Sequence, residues 1–239
     1  MGRVAAAALS ATDGFTLRAG FARSGAGAKL VERIGFGAPD AMVYDDIDAF
    51  VAAGLDVVLD FTAYPVSTEI ARAAVSAGIS PVVGTTGWTE EDRLSFADQC
   101  DEAEIGALIV PNFAIGAVLM IRFAEEAVRH LSAVEIIEMH HAAKRDAPSG
   151  TALLTANRIG TAGGPSHVPI HSVRLPGFVA HQEVIFGGVG ETLTIRHDAN
   201  DREAFASGIV LAARRVRELS TLAVGLDALL FDDTKNEPL

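Results

Sequence analysis

The sequence predicts an α/β protein: a doubly wound parallel sheet, then a second, α+β domain carrying a mixed sheet. Three observations carry that expectation. Short apolar runs alternate with helix-like segments from Phe15 to Phe113, which is the rhythm of βαβ units. Beyond residue 131 the rhythm changes to strand candidates that follow one another directly. The chain of 239 residues, 49% hydrophobic, is also long enough for two cores.

In the first half, strands are expected at 15–22, 55–62, 81–84 and 107–110, each a short apolar run bounded by turn residues. Helices fit between them at 46–53, 66–77 and 89–102, and Thr89 with Asp92 has the spacing of a capping box. A helix at 115–131 leads into the second half, where strands are expected at 134–140, 170–175, 180–186 and 191–197. Thr192-Leu193-Thr194-Ile195 alternates polar and apolar residues, so the last three strands belong in an antiparallel or mixed sheet. A helix at 202–218 follows, the stretch 226–231 is apolar enough to dock, and 232–238 is a polar end. The segment 160–169, rich in Gly, Pro and Ser, reads as a mobile loop. A sheet of the first kind ordinarily opens with a strand, a glycine turn and a helix, whereas here Met1-Gly2-Arg3 runs straight into a helix-like VAAAALSA.

Composition narrows the function. Cys100 is the sole cysteine and cannot form an internal disulfide, and no secretory signal pattern opens the sequence, so a cytoplasmic location is expected. The apolar run 105–121 is broken by Pro111, Asn112 and two glycines and reads as strand, turn and helix start rather than a membrane span. A formal net charge of -12 disfavours nucleic acid, which needs a basic footprint. An anionic ligand would therefore need locally concentrated positive charge.

The densest constellation of chemistry lies in 135–152, EIIEMHHAAKRDAPSGTA. Ser149 is a good N-cap, and Gly150-Thr151 open a helix whose first N–H groups have no internal partner, a ready carboxylate or phosphate site. His140 ends a strand candidate and Lys144 follows four residues on, so an imidazole and an ammonium can converge on one ligand. A histidine pair at a strand end could also be two buried, hydrogen-bonded rings; the neighbouring lysine and helix start favour chemistry. Metal is not expected, because adjacent strand histidines point to opposite faces, Lys144 would repel the ion, and no paired-Cys or HExxH spacing exists. In the first half, Gly84-Thr85-Thr86-Gly87, Val110-Pro111-Asn112-Phe113 and Asp60-Phe61-Thr62 each follow a strand candidate. All three sit at the carboxyl edge where doubly wound sheets bind ligands.

These residues resemble the dihydrodipicolinate reductase family. The motif E-x-H-H-x-x-K-x-D-A-P-S-G-T-A stands complete from Glu138 to Ala152, and the likeness extends through HSVRLPGFVAHQEVIFGG, beginning at His171, and TLTIRHDA, beginning at Thr192. The resemblance implies a nucleotide-binding domain at 1–113 and 203–239 and a substrate-binding, oligomerising domain at 114–202 that assembles a homotetramer. It implies NADPH or NADH as cofactor and a small cyclic dicarboxylate as substrate, the reduction belonging to diaminopimelate and lysine biosynthesis. By position His140 is implied as proton donor and acceptor and Lys144 as second proton donor. His141, Ser149, Gly150 and Thr151 are implied at the substrate, and Gly84, Thr85, Thr86, Val110, Pro111, Asn112 and Phe113 at the cofactor.

Two departures accompany the resemblance. The first strand and glycine turn are absent, and the expectation is that Met1 is an internal methionine or the chain is truncated, the working protein being about 15 to 20 residues longer, the size of a strand and its turn. The second departure is Ala22-Arg23-Ser24, standing where an acidic residue would bind ribose hydroxyls. An arginine there suits a 2′-phosphate and predicts tolerance of, or preference for, NADPH. Set against the reductase are another oxidoreductase of the same plan, and a cofactor-deficient relative that only binds a dicarboxylate or a partner.

Overall fold

The computed structural model describes residues 1–231; the expected polar end at 232–238 lies outside them. The chain divides into two compact units, Met1–Phe113 with the chain from Ala206 onward, and Ala114–Phe205. The second junction falls three residues later than the expected boundary after residue 202, because a short 3-10 turn at Arg202–Phe205 stays with the second unit.

The first unit opens on α1 (Gly2–Ser10), whose buried Ala5, Ala6 and Leu9 make one apolar face. There follow β1 (Ala19–Phe21), α2 (Leu30–Ile34), β2 (Met42–Tyr44), α3 (Ile47–Val51), β3 (Val57–Asp60), α4 (Val66–Ser76), β4 (Ser80–Val83), α5 (Glu90–Ala103) and β5 (Ala107–Ile109). The strand expected at 15–22 shrinks to three residues, since only Ala19 to Phe21 find a partner, in β2. The capping box of α5 is present as expected: Thr89 Oγ1 accepts from Asp92 N, and the Asp92 carboxylate accepts from Thr89 N. β4 is buried at every position, as a central strand covered on both faces must be.

The second unit is built from α6 (Ile115–Ala127), β6 (Ala133–His140), α7 (Gly150–Thr161), β7 (Ile170–Arg174), β8 (Ala180–Gly188) and β9 (Glu191–Ala199). Its sheet is mixed, in the order β7-β6-β8-β9, with β6 parallel to β7 and antiparallel to β8. Met120, Ile121 and Ala124 of α6, Ala152 and Ile159 of α7, and Val134, Ile136, Val184 and Phe186 of the sheet form its core. Gly160 lies inside α7, so the connecting loop begins only at Ala162.

The chain then re-enters the first unit through α8 (Ala206–Arg215), β10 (Leu222–Val224) and α9 (Asp227–Leu230). The single helix expected at 202–218 is an α-helix with a 3-10 turn at either end. β10 pairs with β5 and completes a parallel sheet ordered β10-β5-β4-β3. Among the described residues β1 and β2 form a separate two-stranded sheet, and no strand joins β1 to β3. A cavity of about 540 Å³ lies there instead, lined by Leu9, Leu17, Phe21, Val57 and Leu59 among others. The parallel sheet is thus interrupted where the sequence reading had its first strand missing. Leu226, fully buried, and Leu229 dock the apolar stretch that follows β10.

Candidate active site

β6 alternates burial along its length, placing Val134, Ile136 and Glu138 inward. Two of these are ordinary core residues and the third is a carboxylate with no solvent exposure. Burying an unpaired charge is costly, so its partners matter. Arg174 meets it with both terminal nitrogens, Nη1 to Oε2 at 2.9 Å and Nη2 to Oε1 at 2.7 Å, a bidentate pair. The Ser149 N–H donates to Oε1 at 3.2 Å, and His140 Nδ1 lies 2.5 Å from Oε2. The sheet register brings Arg174 there, because parallel pairing sets it beside His140 at the end of β7. Arg174 Nη2 also donates to the Asp146 carbonyl at 2.8 Å, tying down the loop that follows β6.

Burial pushes Glu138 upward, but hydrogen bonds from Arg174, Ser172 and His140 outweigh it and hold the carboxyl below its ordinary range. In His140 burial prevails instead: it lowers the pKa most, Glu138 pulls it up, and the charges of Lys144 and Arg174 push it down again, leaving it below the ordinary histidine value. Lys144 Nζ lies 2.8 Å from Asp146 Oδ2, a contact that is the main cause of the lowered Asp146 pKa. Ser149 caps α7 as expected, its side chain accepting from Ala152 N at 3.2 Å. Gly150 is exposed with nothing within 4 Å of where a Cβ would stand, so the start of the helix is open. Thr151 is half-buried, and His141, one residue past β6, is exposed.

His140, Lys144, Ser149, Gly150 and Thr151 are therefore carried by one strand end, one loop and one helix start within a single unit. Two other histidines of this unit differ. His181 is buried, accepts from Val179 N at Nε2 and holds Asp198 Oδ1 at 2.6 Å through Nδ1, while His171 pairs with Glu135 on the surface. The sequence reading quoted Glu138 and Arg174 only as letters of motifs and gave neither a task. The sign available was a glutamate in phase with Val134 and Ile136, which demands a buried cation.

In the first unit, the carboxyl ends of three adjacent strands gather the remaining candidates. Asp60 ends β3 and is buried; Thr85 Oγ1 donates to its Oδ2 at 2.7 Å. A Cβ on Gly84 would stand 2.5 Å from the Phe61 ring and 2.8 Å from that of Phe113, so only glycine lets those rings close on the turn. Val110 N donates to Val83 O at 2.8 Å and sets the loop after β5 beside β4. Val110 and Phe113 are buried, which leaves their backbone to meet a ligand; Pro111 and Thr86 are exposed, and Asn112 is half-buried. Arg23 is exposed on the loop after β1. Missed by the sequence reading was Arg33, whose Nη2 donates to Ser24 Oγ at 3.1 Å and whose guanidinium packs against Gly25 of the same loop.

The exposed Thr86, the turn at Gly84 against which two rings close, and the exposed arginine of the loop after β1 are compatible in chemistry with a nicotinamide dinucleotide. Among the described residues no group of three His, Cys, Asp or Glu side chains is placed to hold a metal ion. No described helix is long and apolar enough to cross a membrane.

Two family models match the chain, dihydrodipicolinate reductase N-terminus over residues 1–113 and dihydrodipicolinate reductase C-terminus over residues 116–230. The 4-hydroxy-tetrahydrodipicolinate reductase of Geobacillus thermodenitrificans is 47% identical over 251 residues, covering 96% of this chain and 95% of the relative. That of Symbiobacterium thermophilum is 45% identical over 240 residues, covering 98% and 94%. Among solved structures, the dipicolinate-bound dihydrodipicolinate reductase from Paenisporosarcina sp. TG-14 superposes with a TM-score of 0.83 at 36% identity, covering 95% of this chain and 94% of that one. An amine dehydrogenase from Mycobacterium smegmatis, 12% identical with a TM-score of 0.71, shares the fold.

Proposed function

The chain belongs to the dihydrodipicolinate reductase family, and from that premise we propose how its own residues carry out the NAD(P)H-dependent reduction of 4-hydroxy-tetrahydrodipicolinate to tetrahydrodipicolinate. The observation that carries the proposal is the grouping of His140, Lys144 and the open, Ser149-capped start of α7 on one unit. A substrate with two carboxylates needs cations and amide donors on a protein whose formal net charge is -12. Lys144 and the first N–H groups of α7 supply both.

The cofactor supplies a hydride. Gly84, Thr85 and Thr86, with the backbone of Val110, Pro111, Asn112 and Phe113, would hold the cofactor, and Arg23 would supply positive charge for a 2′-phosphate. His140 donates the proton that balances charge on the substrate ring, Lys144 is the second proton donor, and His141, Ser149, Gly150 and Thr151 bind the carboxylates. The two units divide the work: the unit built from both chain ends binds nucleotide, and the central unit binds substrate. Its sheet also forms a homotetramer, and the enzyme works in the cytoplasm on the diaminopimelate and lysine route. The cofactor-deficient alternative has less support, because the edge residues above fit a dinucleotide.

The test follows NADPH absorbance with freshly generated substrate. His140→Gln and Lys144→Ala each lower turnover on the order of 10²-fold or more while cofactor affinity stays near normal. Unchanged turnover in both rejects the assigned roles. Light scattering on the eluting protein tests the tetramer.

A further inference from the structure

We infer that Glu138 is the positioning residue of this site: its buried carboxylate fixes the ring of His140 with Nδ1–H turned inward, so that Nε2 is the nitrogen that handles the substrate proton. The inference rests on the proton-transfer role proposed for His140.

Ionised Glu138 can only accept hydrogen bonds, and His140 Nδ1 stands 2.5 Å from its Oε2. Nδ1 must therefore carry the hydrogen, and in the neutral ring Nε2 is bare. On protonation the second hydrogen goes to Nε2, which makes that nitrogen both the donor and the acceptor of the working proton. The carboxylate itself is immobilised from several sides: Arg174 from β7 on both oxygens, Ser149 N at the start of α7 on Oε1, the ring on Oε2, and the Ser172 side chain of β7. One side chain thus connects the imidazole, the capped helix start and, through Arg174 and the Asp146 carbonyl, the loop that carries Lys144. A histidine with a rotatable partner would sample both tautomers; this one is held in one, the task an orienting carboxylate performs in other acid–base sites.

The charged groups facing His140 are Glu138 on its own strand, Arg174 on β7, and Lys144 in the following loop. Of these only Glu138 favours the protonated ring. Removing its charge therefore lowers the pKa of His140, and the fall in rate as the proton donor is lost moves to lower pH.

The test compares pH profiles of turnover for the parent enzyme, Glu138→Gln, Glu138→Asp and His140→Gln, with folding checked by circular dichroism. Glu138→Gln is expected to lose on the order of 10²-fold in turnover at neutral pH and to recover part of it on acidification. Glu138→Asp keeps the charge and returns the alkaline limb toward its parent position. A uniform loss at every pH in Glu138→Gln, with the limb unmoved, overturns the positioning role. Full activity in His140→Gln overturns the reaction reading instead. Arg174 loses its charge partner in Glu138→Gln, so a measurement independent of folding is made on the unaltered protein: nitrogen-15 NMR of the His140 ring. Hydrogen on Nδ1 in the neutral form is expected, and hydrogen on Nε2 rejects the inference.

Discussion

Thr85 Oγ1 donates to Asp60 Oδ2 at 2.7 Å, joining the turn after β4 to the end of β3 across 25 positions of sequence. The same oxygen accepts from Ser67 Oγ at 2.5 Å, and Ser67 Oγ in turn receives the Trp88 indole N–H at 3.0 Å. The other oxygen takes Thr62 N at 3.0 Å and Thr62 Oγ1 at 2.5 Å. Asp60 is therefore the knot that sets the turn after β4 against two neighbouring elements.

Asp60→Ala strands those donors, some of them buried, and is expected to cost about 2 to 4 kcal/mol of stability, the combined range for several lost buried hydrogen bonds. Thr85 loses its anchor at the same time, so cofactor affinity falls as well. Thermal denaturation reads the first effect and nicotinamide fluorescence titration the second. A melting midpoint and affinity equal to the parent's reject the account.

The same contrast between local and distant partners decides what the sequence disclosed. The placement of the candidate residues from His140 to Thr151 was legible because strand end, loop and N-cap are consecutive, so each residue's position follows from its immediate neighbours. Arg174 was not, because its partner Glu138 is 36 positions away and only the β6–β7 register joins them. The amphipathic α4 and the box-capped α5 declared themselves, whereas the three-residue strands β2 and β10 carry too little pattern to be read alone. β10 exists because β5, more than a hundred positions earlier, offers it a partner. Asp60 and Gly84 were placed at the correct edge, but the hydrogen bonds and ring contacts that explain them depend on three elements at once.

Acid is expected to weaken the second unit in two stages. The pKa values of His140 and His197 are held down chiefly by burial, so the unfolded chain takes up their protons first; stability is lost as pH falls below the ordinary histidine value toward their folded values. Glu138 is also below its ordinary range, since the hydrogen bonds from Arg174, Ser172 and His140 outweigh burial. Its contribution is present above the unfolded glutamate value and is lost as pH falls through the folded one. Urea midpoints measured from pH 8 to pH 3 check this, with His140→Gln expected to flatten the upper stage. A stability that stays level or rises on acidification contradicts both assignments.

Arg23 is exposed on the loop after β1, and Arg33 reaches the same loop through Ser24. A 2′-phosphate gains charge-assisted hydrogen bonds from such a pair, while a bare ribose hydroxyl gains little. Arg23→Ala is expected to raise KM for NADPH about tenfold, one lost charged hydrogen bond, and to leave NADH nearly unchanged. Steady-state kinetics with both cofactors decide the matter; equal effects on the two would remove Arg23 from the phosphate site.

Gly208 of α8 gives the sharpest steric test. Replacing a helical glycine by alanine ordinarily stabilises by about 0.5 to 1 kcal/mol through backbone entropy. Here the new Cβ would stand 1.9 Å from the Phe113 carbonyl oxygen and 2.9 Å from Leu226 Cδ1. Neither neighbour can yield easily: Leu226 is fully buried, and the Phe113 oxygen is backbone at the end of the loop after β5. Overpacking of this kind costs about 1 to 3 kcal/mol, so the net sign reverses and Gly208→Ala is destabilising. The displaced carbonyl also shifts the 110–113 loop, so cofactor affinity should fall together with the melting temperature. Gly150→Ala is the control, because a Cβ there meets nothing within 4 Å. If Gly208→Ala melts at or above the parent temperature, the close approach of α8 to Phe113 is wrong.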